Sequence, residues 1–218
     1  MDHDFWHQRW QTNRIGFHQP EVNAQLQQFW PRLELPPGSR VFIPLCGKSL
    51  DILWLRDQGF DVVGVELSPI AVQAFFDENS LSCGKQSLGS FVRYQTDAIE
   101  IFCGDYFDLT ARLLGDVRAV FDRASLIALP PAMRQDYVRH HAGLLVDNVP
   151  VLLITLDYDQ GEMDGPPFAV TQAEVGHLYG GRYQIECLLD VDVLAREPHF
   201  AERGLSRLRE KVYLLSAT

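Results

Sequence analysis

The chain has 218 residues, a formal net charge of −10 at pH 7 and a pI near 5.1. A nucleic-acid partner is not expected, because proteins bind its phosphates chiefly through clustered Lys and Arg. No apolar run approaches the roughly 18 residues that cross a membrane, so no membrane association is expected either. The length fits one α/β domain over residues 1–218, and nothing in the sequence demands more than a monomer.

The share of aromatic residues among the first thirty residues is higher than the 11% of the whole chain. Such a segment has to pack on the domain body to hide these rings. We predict that residues 1–30 form a lid over the open C-terminal edge of the sheet; the alternative is a helix that packs elsewhere on the core. The start, MDHDFWHQRW, is acidic and aromatic, unlike a signal or transit peptide, so a cytoplasmic protein is expected.

The stretch Arg40–Glu66 predicts a strand, a helix and a second strand. Val41–Leu45 is a short apolar run typical of a buried parallel strand, and the turn Cys46–Ser49 follows it. A segment of helical apolar spacing then ends at Gly59, and the run Val62–Val65 leads to Glu66. An acid that closes the second strand of such a unit is placed to accept hydrogen bonds from both hydroxyls of a ribose.

The turn after the first strand lacks the G-x-G-x-x-G pattern that receives a pyrophosphate. A cofactor with a ribose but no phosphate fits better, and S-adenosylmethionine is the common one. Gly47, in this turn, is included among the predicted cofactor-binding residues. The alternative is a similar unit in which Glu66 merely faces water.

The four cysteines are far apart in sequence and include no C-x-x-C pair. Neither a zinc site nor a disulfide framework is indicated, and free thiols are expected. Cys46 lies on the predicted site loop, where it is either a nucleophile or, as we favour, a small residue that allows close backbone approach.

The next elements continue the α/β pattern. Ser68 and Pro69 predict the N-cap and first residue of a second helix. Residues 80–90 are polar and predict a loop, and Phe91–Tyr94 with Ile99–Cys103 predict a hairpin.

Two strand ends carry candidate cofactor residues. After Ile99–Cys103, Asp105 could accept a hydrogen bond from the adenine amine and Tyr106 could stack on the base; the alternative is a plain loop aspartate. After the strand Val117–Asp122, Arg123 could bind the carboxylate of the cofactor, because a guanidinium matches that group. The alternative is a surface ion pair between Arg123 and Asp122.

The remainder of the chain predicts more helices and strands. The loop Asp157–Pro167 is rich in Asp, Gly and Pro, but it lacks the spacing of a calcium loop, so a solvated loop is favoured over a metal site. Arg196–Gly204 is polar and placed to reach the active edge. The other predicted elements are a helix at Met133–Leu145, a strand at Val149–Asp157, a helix at Thr171–Leu178 with Thr171 as N-cap, and strands at Tyr183–Asp190 and Lys211–Ser216.

With these residues assembled, the chain resembles the thiopurine S-methyltransferase family, its bacterial branch in particular. The resemblance runs almost from end to end. It is carried by FWHQRWQTNRIGFHQ from Phe5, PLCGKSLDILWL from Pro44, VVGVELSPIAV from Val62, Asp122-Arg123 with Ala128-Leu129-Pro130, and EKVYLLS from Glu210.

The resemblance implies a class I methyltransferase fold, a doubly wound and mostly parallel seven-stranded sheet with helices on both faces and the last strand antiparallel. It implies S-adenosylmethionine as cofactor and a small thiol as substrate, and bacterial members are also associated with selenium and tellurium compounds and tellurite resistance. The implied cofactor contacts are Trp10, Leu45, Glu66 and Arg123, and the implied substrate-side residues are Phe17 and Arg203.

Methyl transfer from a sulfonium is an in-line displacement, so the protein chiefly aligns the reactants and excludes water. We expect no obligatory general base, since an aromatic thiol ionises near neutral pH. Arg203 or Arg14 is expected to stabilise the anionic acceptor while Trp10 and Phe17 close over it. Two other classes stay open: an NAD-linked oxidoreductase, which should show a glycine-rich first turn, and a non-catalytic binding protein of this fold.

Overall fold

The structure is a computed structural model that describes residues 3–145 and 149–217. It divides into two compact units, Met1–Phe121 and Asp122–Thr218. Whether the chain acts as the single domain that its length predicts stays a prediction. Among the described residues no helix is both long enough and apolar enough to cross a membrane.

The first unit is built on a central set of parallel strands. The strands are β1 (Arg40–Ile43), β2 (Asp61–Glu66), β3 (Gly84–Leu88), β4 (Phe91–Gln95), β5 (Ile99–Cys103) and β6 (Val117–Arg123), whose last residues pass the unit boundary. Their order in the sheet is β3-β4-β5-β2-β1-β6. The helices are α1 (His3–Gln11), α2 (Ala24–Phe29), α3 (Asp51–Asp57), α4 (Pro69–Glu78) and α5 (Ala111–Leu114).

Parallel pairing brings the carboxyl ends of three strands to one edge of the first unit. β1 pairs in parallel with β2 and with β6, and β2 pairs in parallel with β5. Every residue of β2 after Asp61 is buried, as expected of a parallel strand covered on both faces. The loops that follow β1, β2 and β5 therefore lie side by side, which is the usual position of a ligand site in such sheets.

The second unit is antiparallel. Its strands are β7 (Val151–Asp157), β8 (Tyr183–Asp192) and β9 (Arg209–Ala217), in the order β7-β9-β8. Its helices are α6 (Pro131–Leu144), α7 (Gln172–Tyr179) and α8 (Pro198–Glu202). β9 runs antiparallel to both neighbours, which confirms the prediction for the last strand.

The predicted helix caps are present. The side chain of Ser68 accepts a hydrogen bond from the backbone of Ala71, with Pro69 as the first residue of α4. Thr171 likewise accepts from the backbone of Glu174 at the start of α7. In both places the sequence signal is local, because a hydroxyl and a backbone N–H three residues away satisfy each other.

The α/β class is confirmed, but the sheet has nine strands and not the predicted seven. The antiparallel pair β3 and β4 extends the sheet outward from β5. The predicted hairpin of β4 and β5 is confirmed, whereas the predicted loop over residues 80–90 is wrong, because residues 84–88 form β3. β3 is polar and largely exposed, so it lacks the apolar alternation that signals a strand.

Gly64 of β2 lies against the loop that follows β1. A Cβ added to Gly64 would lie 2.7 Å from the Sγ of Cys46 and 3.3 Å from its Cβ, closer than such atoms pack. We predict that Gly64→Ala lowers the free energy of unfolding by about 1–3 kcal/mol, the usual cost of overpacking a buried site. Chemical denaturation followed by fluorescence measures this change.

Two controls separate the contact from a general effect of alanine. Gly176 is in α7 with no heavy atom near a built Cβ, so Gly176→Ala should be neutral or stabilising. The cost of Gly64→Ala should shrink when Cys46 is also replaced by alanine, which removes the Sγ. An equal cost in both backgrounds would contradict the assignment.

Candidate functional site

Three loops converge on the end of β2. The backbone N–H of Cys46 donates to the carbonyl of Val65 at 3.0 Å, and the N–H of Gly104 donates to the carbonyl of Glu66 at 2.9 Å. Leu45 and Gly47 both have left-handed backbone conformations, with φ of 45° and 54°. Such a conformation is rare for leucine, so the surrounding bonds have to hold this turn in place.

Glu66 is a buried carboxylate at the centre of these loops, with 7% of its surface exposed. Its Oε2 accepts from the backbone of Gly47 at 2.9 Å and its Oε1 accepts from the backbone of Ser68 at 2.7 Å. No Lys, Arg or His among residues 3–145 and 149–217 forms an ion pair with it. Each carboxylate oxygen can accept more than one hydrogen bond, so both retain capacity for another donor.

Burial raises the pKa of Glu66 to about 7, although hydrogen bonds from the backbone of Ser68 and Gly47 act in the opposite direction. Burial disfavours the charged form, and no positively charged side chain in the described part of the chain pairs with Glu66 to compensate for it. The group therefore titrates near neutral pH. A carboxyl of this kind at a strand end is a candidate for binding a neutral ligand that offers hydroxyl donors.

The N-terminal aromatic residues cover part of this edge. Trp10 is buried, and a Cβ built on Gly47 would lie 3.4 Å from its indole ring, so the ring packs directly on the turn. Phe17 meets Trp10 edge to face with ring centroids 5.5 Å apart, and it meets Trp6 in the same way at 5.6 Å. The structure thus brings Trp10, Gly47 and Phe17 together, as a covering segment requires.

Arg14 lies between these rings in sequence and is exposed. Its backbone N–H donates to the carbonyl of Arg9 at 2.8 Å, and the guanidinium of Arg9 donates to the carbonyl of Arg14 at 3.4 Å. Within the described part of the chain, the guanidinium of Arg14 forms no ion pair. Its charge is therefore available to an anion.

Asp105 has two structural partners. Its Oδ1 accepts from the backbone of Phe107 at 2.9 Å, which caps a short 3-10 turn, and its Oδ2 pairs with Nε2 of His3 at 2.7 Å. His3 was not predicted as a site residue, and a contact between the chain start and a distant loop leaves no local signal. Adenine recognition by Asp105 stays a prediction. In the structure Asp105 both caps its own loop and binds His3 of α1.

Tyr106 lies in the core with 1% of its surface exposed, and its ring meets Phe107 edge to face at 5.4 Å. This burial leaves little of its face for a base. Stacking by Tyr106 stays a prediction, and Phe107 is the more exposed ring at this position.

Cys46 is buried, and burial together with the nearby Glu66 carboxylate raises its pKa well above the ordinary value. A thiol is nucleophilic as its thiolate, which this environment disfavours. The close packing of its Sγ on Gly64 supports the favoured interpretation, a residue chosen for its size. Cys46, Cys83, Cys103 and Cys187 are all free thiols.

In the second unit, Asp122 points into the core and Arg123 ends β6. Asp122 has 1% of its surface exposed and accepts from the hydroxyl of Tyr137 at 2.8 Å. Burial raises the pKa of Asp122 to about 6. Asp122 is thus a buried carboxylate with a partner in the core. Cofactor binding by Arg123 stays a prediction, and so does its alternative, an ion pair with Asp122.

Arg203 directly follows α8 as its C-cap residue. Its guanidinium carbon is 5.8 Å from the ring centroid of Phe200. Tyr158 directly follows β7, and the Arg203 charge partly opposes the rise that burial causes in the pKa of Tyr158. Arg203 forms no ion pair with any residue that the structure describes.

The loop after β7 is ordered by its own polar groups. Gln160 donates to the carbonyl of Met163 at 2.6 Å and accepts from the backbone of Ala169 at 2.9 Å, and the hydroxyl of Tyr158 donates to the carbonyl of Pro167 at 2.6 Å. The described residues contain no cluster of three His, Cys, Asp or Glu side chains suited to a metal ion.

Solved structures define the class of fold. The chain is similar to a SAM-dependent methyltransferase from Anabaena variabilis, with a TM-score of 0.65, 14% identity and coverage of 99% of this chain and 95% of that chain. It is also similar to a 1,6-didemethyltoxoflavin-N1-methyltransferase from Burkholderia thailandensis, solved with 1,6-didemethyltoxoflavin and S-adenosylhomocysteine, with a TM-score of 0.62, 14% identity and coverage of 99% and 87%. The fold is therefore the predicted class I, Rossmann-like methyltransferase fold.

Sequence relatives define the family. The family model described as Thiopurine S-methyltransferase (TPMT) matches residues 1–218. Proteins named thiopurine S-methyltransferase from Methylococcus capsulatus and Nitrosospira multiformis are 52% and 51% identical, covering 100% and 99% of this chain and 98% of each relative. The chain belongs to the thiopurine S-methyltransferase family, so the predicted family and the predicted enzyme class, a methyltransferase, are confirmed.

The titration of Glu66 predicts a pH dependence of stability. The pKa of Glu66 is about 7 in the folded protein against 4.5 for an ordinary glutamate, so the folded state binds the proton more tightly. This contribution to stability is lost as the pH rises from 4.5 to about 7. We predict that the unfolding free energy of wild type minus that of Glu66→Gln falls by up to roughly 3 kcal/mol between those pH values. Denaturant titrations at several pH values measure the difference. A difference independent of pH would contradict the raised pKa.

Proposed function

We propose that this enzyme transfers a methyl group from S-adenosylmethionine to the sulfur of aromatic or heterocyclic thiols such as 6-mercaptopurine. The observation that carries the proposal is the buried carboxylate of Glu66, which has no cationic partner among the described residues, at a strand end whose neighbouring turn lacks a phosphate-binding pattern. Membership of the thiopurine S-methyltransferase family supports the choice of sulfur as acceptor atom.

S-adenosylmethionine is the cofactor, as predicted; the family and the fold neighbours, one of them solved with S-adenosylhomocysteine, agree on this. Glu66 would accept the ribose hydroxyls, which are donors that suit a buried anion lacking a counter-charge. The other residues proposed to hold the cofactor are Trp10, Leu45, Gly47, Asp105, Tyr106 and Arg123.

The bound cofactor supplies an electrophilic methyl group on a sulfonium, so the chain has to align the acceptor and keep water away. Trp10 and Phe17 pack on each other beside Gly47, and we assign them the covering role of the proposed lid, residues 1–30. Residues 1 and 2 of that segment lie outside the described residues.

The acceptor is proposed to react as a thiolate. An aromatic thiol ionises near neutral pH, so no side chain has to act as an obligatory general base. Arg14 and Arg203 are both exposed and without an ion pair among the described residues, and either charge would favour the anion. In their reduced forms, selenium and tellurium compounds are softer acceptors of the same kind. Turnover of selenium or tellurium compounds, with tellurite resistance, is part of the proposal. A monomeric state, a cytoplasmic location and the lack of a nucleic-acid partner stay predictions.

The proposal is tested directly by transfer of labelled methyl from S-adenosylmethionine to 6-mercaptopurine, thiophenols, selenite and tellurite. We expect methylated product from the thiols. Calorimetric titration with S-adenosylmethionine and with NAD runs alongside, and only the former should bind. Cofactor binding without transfer to any acceptor would favour a non-catalytic binding protein instead.

Glu66→Gln should weaken binding of S-adenosylmethionine by about tenfold to a hundredfold, because hydrogen bonds to a charged group contribute roughly 1.5–3 kcal/mol. In the wild type, hydroxyl donors favour the carboxylate and lower its pKa, so binding at about pH 6.5 should release a proton. Titration calorimetry in buffers of different ionisation enthalpy measures both effects. Glu78→Gln, which changes an exposed carboxylate of the same unit, is the control.

Arg203→Ala and Arg14→Ala test the electrostatic role. Removing the arginine that faces the acceptor should raise KM for a thiolate by about tenfold. The Kd for S-adenosylmethionine should stay unchanged. Steady-state kinetics with 6-mercaptopurine above its thiol pKa measures this effect. If kcat/KM stays within about twofold of wild type in both variants, the acceptor is not stabilised by either charge.

A further inference from the structure

Glu162 and Ser206 connect two segments of the second unit. The backbone N–H of Ser206 donates to Oε2 of Glu162 at 2.9 Å, and its hydroxyl donates to Oε1 at 2.6 Å. One carboxylate thus binds one residue through both of its oxygens. We refer to this paired contact between Glu162 and Ser206 as the clasp.

One side of the clasp leads directly to Arg203. The N–H of Arg203 donates to the carbonyls of His199 and Phe200, and that of Gly204 donates to Ala201, so the end of α8 is tightly wound. Gly204 then has φ of 104°, and a Cβ built on it would lie 3.8 Å from the carbonyl oxygen of Glu162. The short path from Arg203 to the clasp is therefore set by backbone contacts.

The other side of the clasp is anchored to β7. Glu162 belongs to the loop that Gln160 holds together, and its neighbour Met163 is buried in an apolar cluster with Tyr158, Phe200 and Leu205. Tyr158 directly follows the last residue of β7. The clasp therefore fixes the segment after α8 to the carboxyl end of a strand.

Arg203 depends on this arrangement for its position. Its guanidinium is exposed and forms no ion pair with the described residues, and it contacts the ring of Phe200. A long cationic side chain with so few partners is placed mainly by its backbone. The backbone is held by the buried Phe200 and Leu205 on either side of Arg203, and the clasp adds a polar link at the next residue, Ser206.

We propose that Glu162 and Ser206 are positioning residues for the methyl acceptor, acting through Arg203. This inference rests on the proposed function, in which Arg203 favours an anionic sulfur acceptor. Opening the clasp lets the Arg203 segment move and weakens acceptor binding. The clasp is exposed, where such bonds add little to stability, so its effect belongs in KM and not in the melting temperature.

The direction in which KM changes when Glu162 is replaced distinguishes a positioning role from a direct effect of its charge. Glu162 is an anion, and its field alone would disfavour a bound thiolate, so losing that charge would lower KM. Loss of the clasp raises KM. Glu162→Gln removes the charge but keeps the shape, since a glutamine can accept from the N–H of Ser206 and donate to its hydroxyl oxygen.

The test is steady-state kinetics with 6-mercaptopurine and S-adenosylmethionine on the full chain. We expect Glu162→Ala to raise KM for the thiol about three- to tenfold, Ser206→Ala to raise it less, and Ser206→Thr and Glu162→Gln to stay within about twofold of wild type. The Kd for S-adenosylmethionine and the melting temperature should not move. Glu202→Ala, which removes a neighbouring exposed acid outside the clasp, is the matched control and should not raise KM.

A double-mutant cycle with Arg203→Ala shows whether the clasp acts through that arginine. If it does, Glu162→Ala adds nothing to KM once Arg203 is gone. A lowered KM in Glu162→Ala, or a full additional rise in the Arg203→Ala background, overturns the inference. If the wild type methylates no thiol, the proposed function itself fails; if Arg203→Ala raises KM but Glu162→Ala does not, only the clasp inference fails.

Discussion

The structure of the first unit depends on how one buried negative charge is accommodated. Glu66 has no cationic partner among the described residues, so backbone N–H groups have to satisfy its oxygens. Gly47 can present its N–H only because the turn after β1 adopts left-handed conformations at Leu45 and Gly47. Ser68 both donates its N–H to Glu66 and caps α4, so a single residue links the charge to the start of a helix.

The N-terminal segment adds a second set of contacts to the same edge. Trp10 packs on Gly47, where a larger residue would press on the indole ring, and His3 pairs with Asp105 beyond β5. Both ends of α1 are thus fixed to loops that follow parallel strands. The N-terminal segment therefore packs against the loops of the proposed cofactor site.

Much of this arrangement could be predicted because its signals are local. The β1–α3–β2 unit, the acid at its end and the Ser68 cap each follow from a short run of residues. β3 could not be predicted, because a polar edge strand is stabilised by its partner strand and shows no apolar alternation. The pairs His3 with Asp105 and Glu162 with Ser206 join segments distant in sequence, which only the folded chain reveals.

The antiparallel pair β3 and β4 forms one border of the sheet. β3 is the outermost strand of the first unit and carries mostly small or polar side chains. Its Lys85 lies over the ring of Tyr94 and donates a hydrogen bond to the side chain of Gln73. The unpaired backbone groups of an edge strand can form hydrogen bonds with a strand of another polypeptide, and a charged lysine on the edge strand disfavours this pairing. The polar β3 therefore separates the apolar strands behind it from the open border of the sheet.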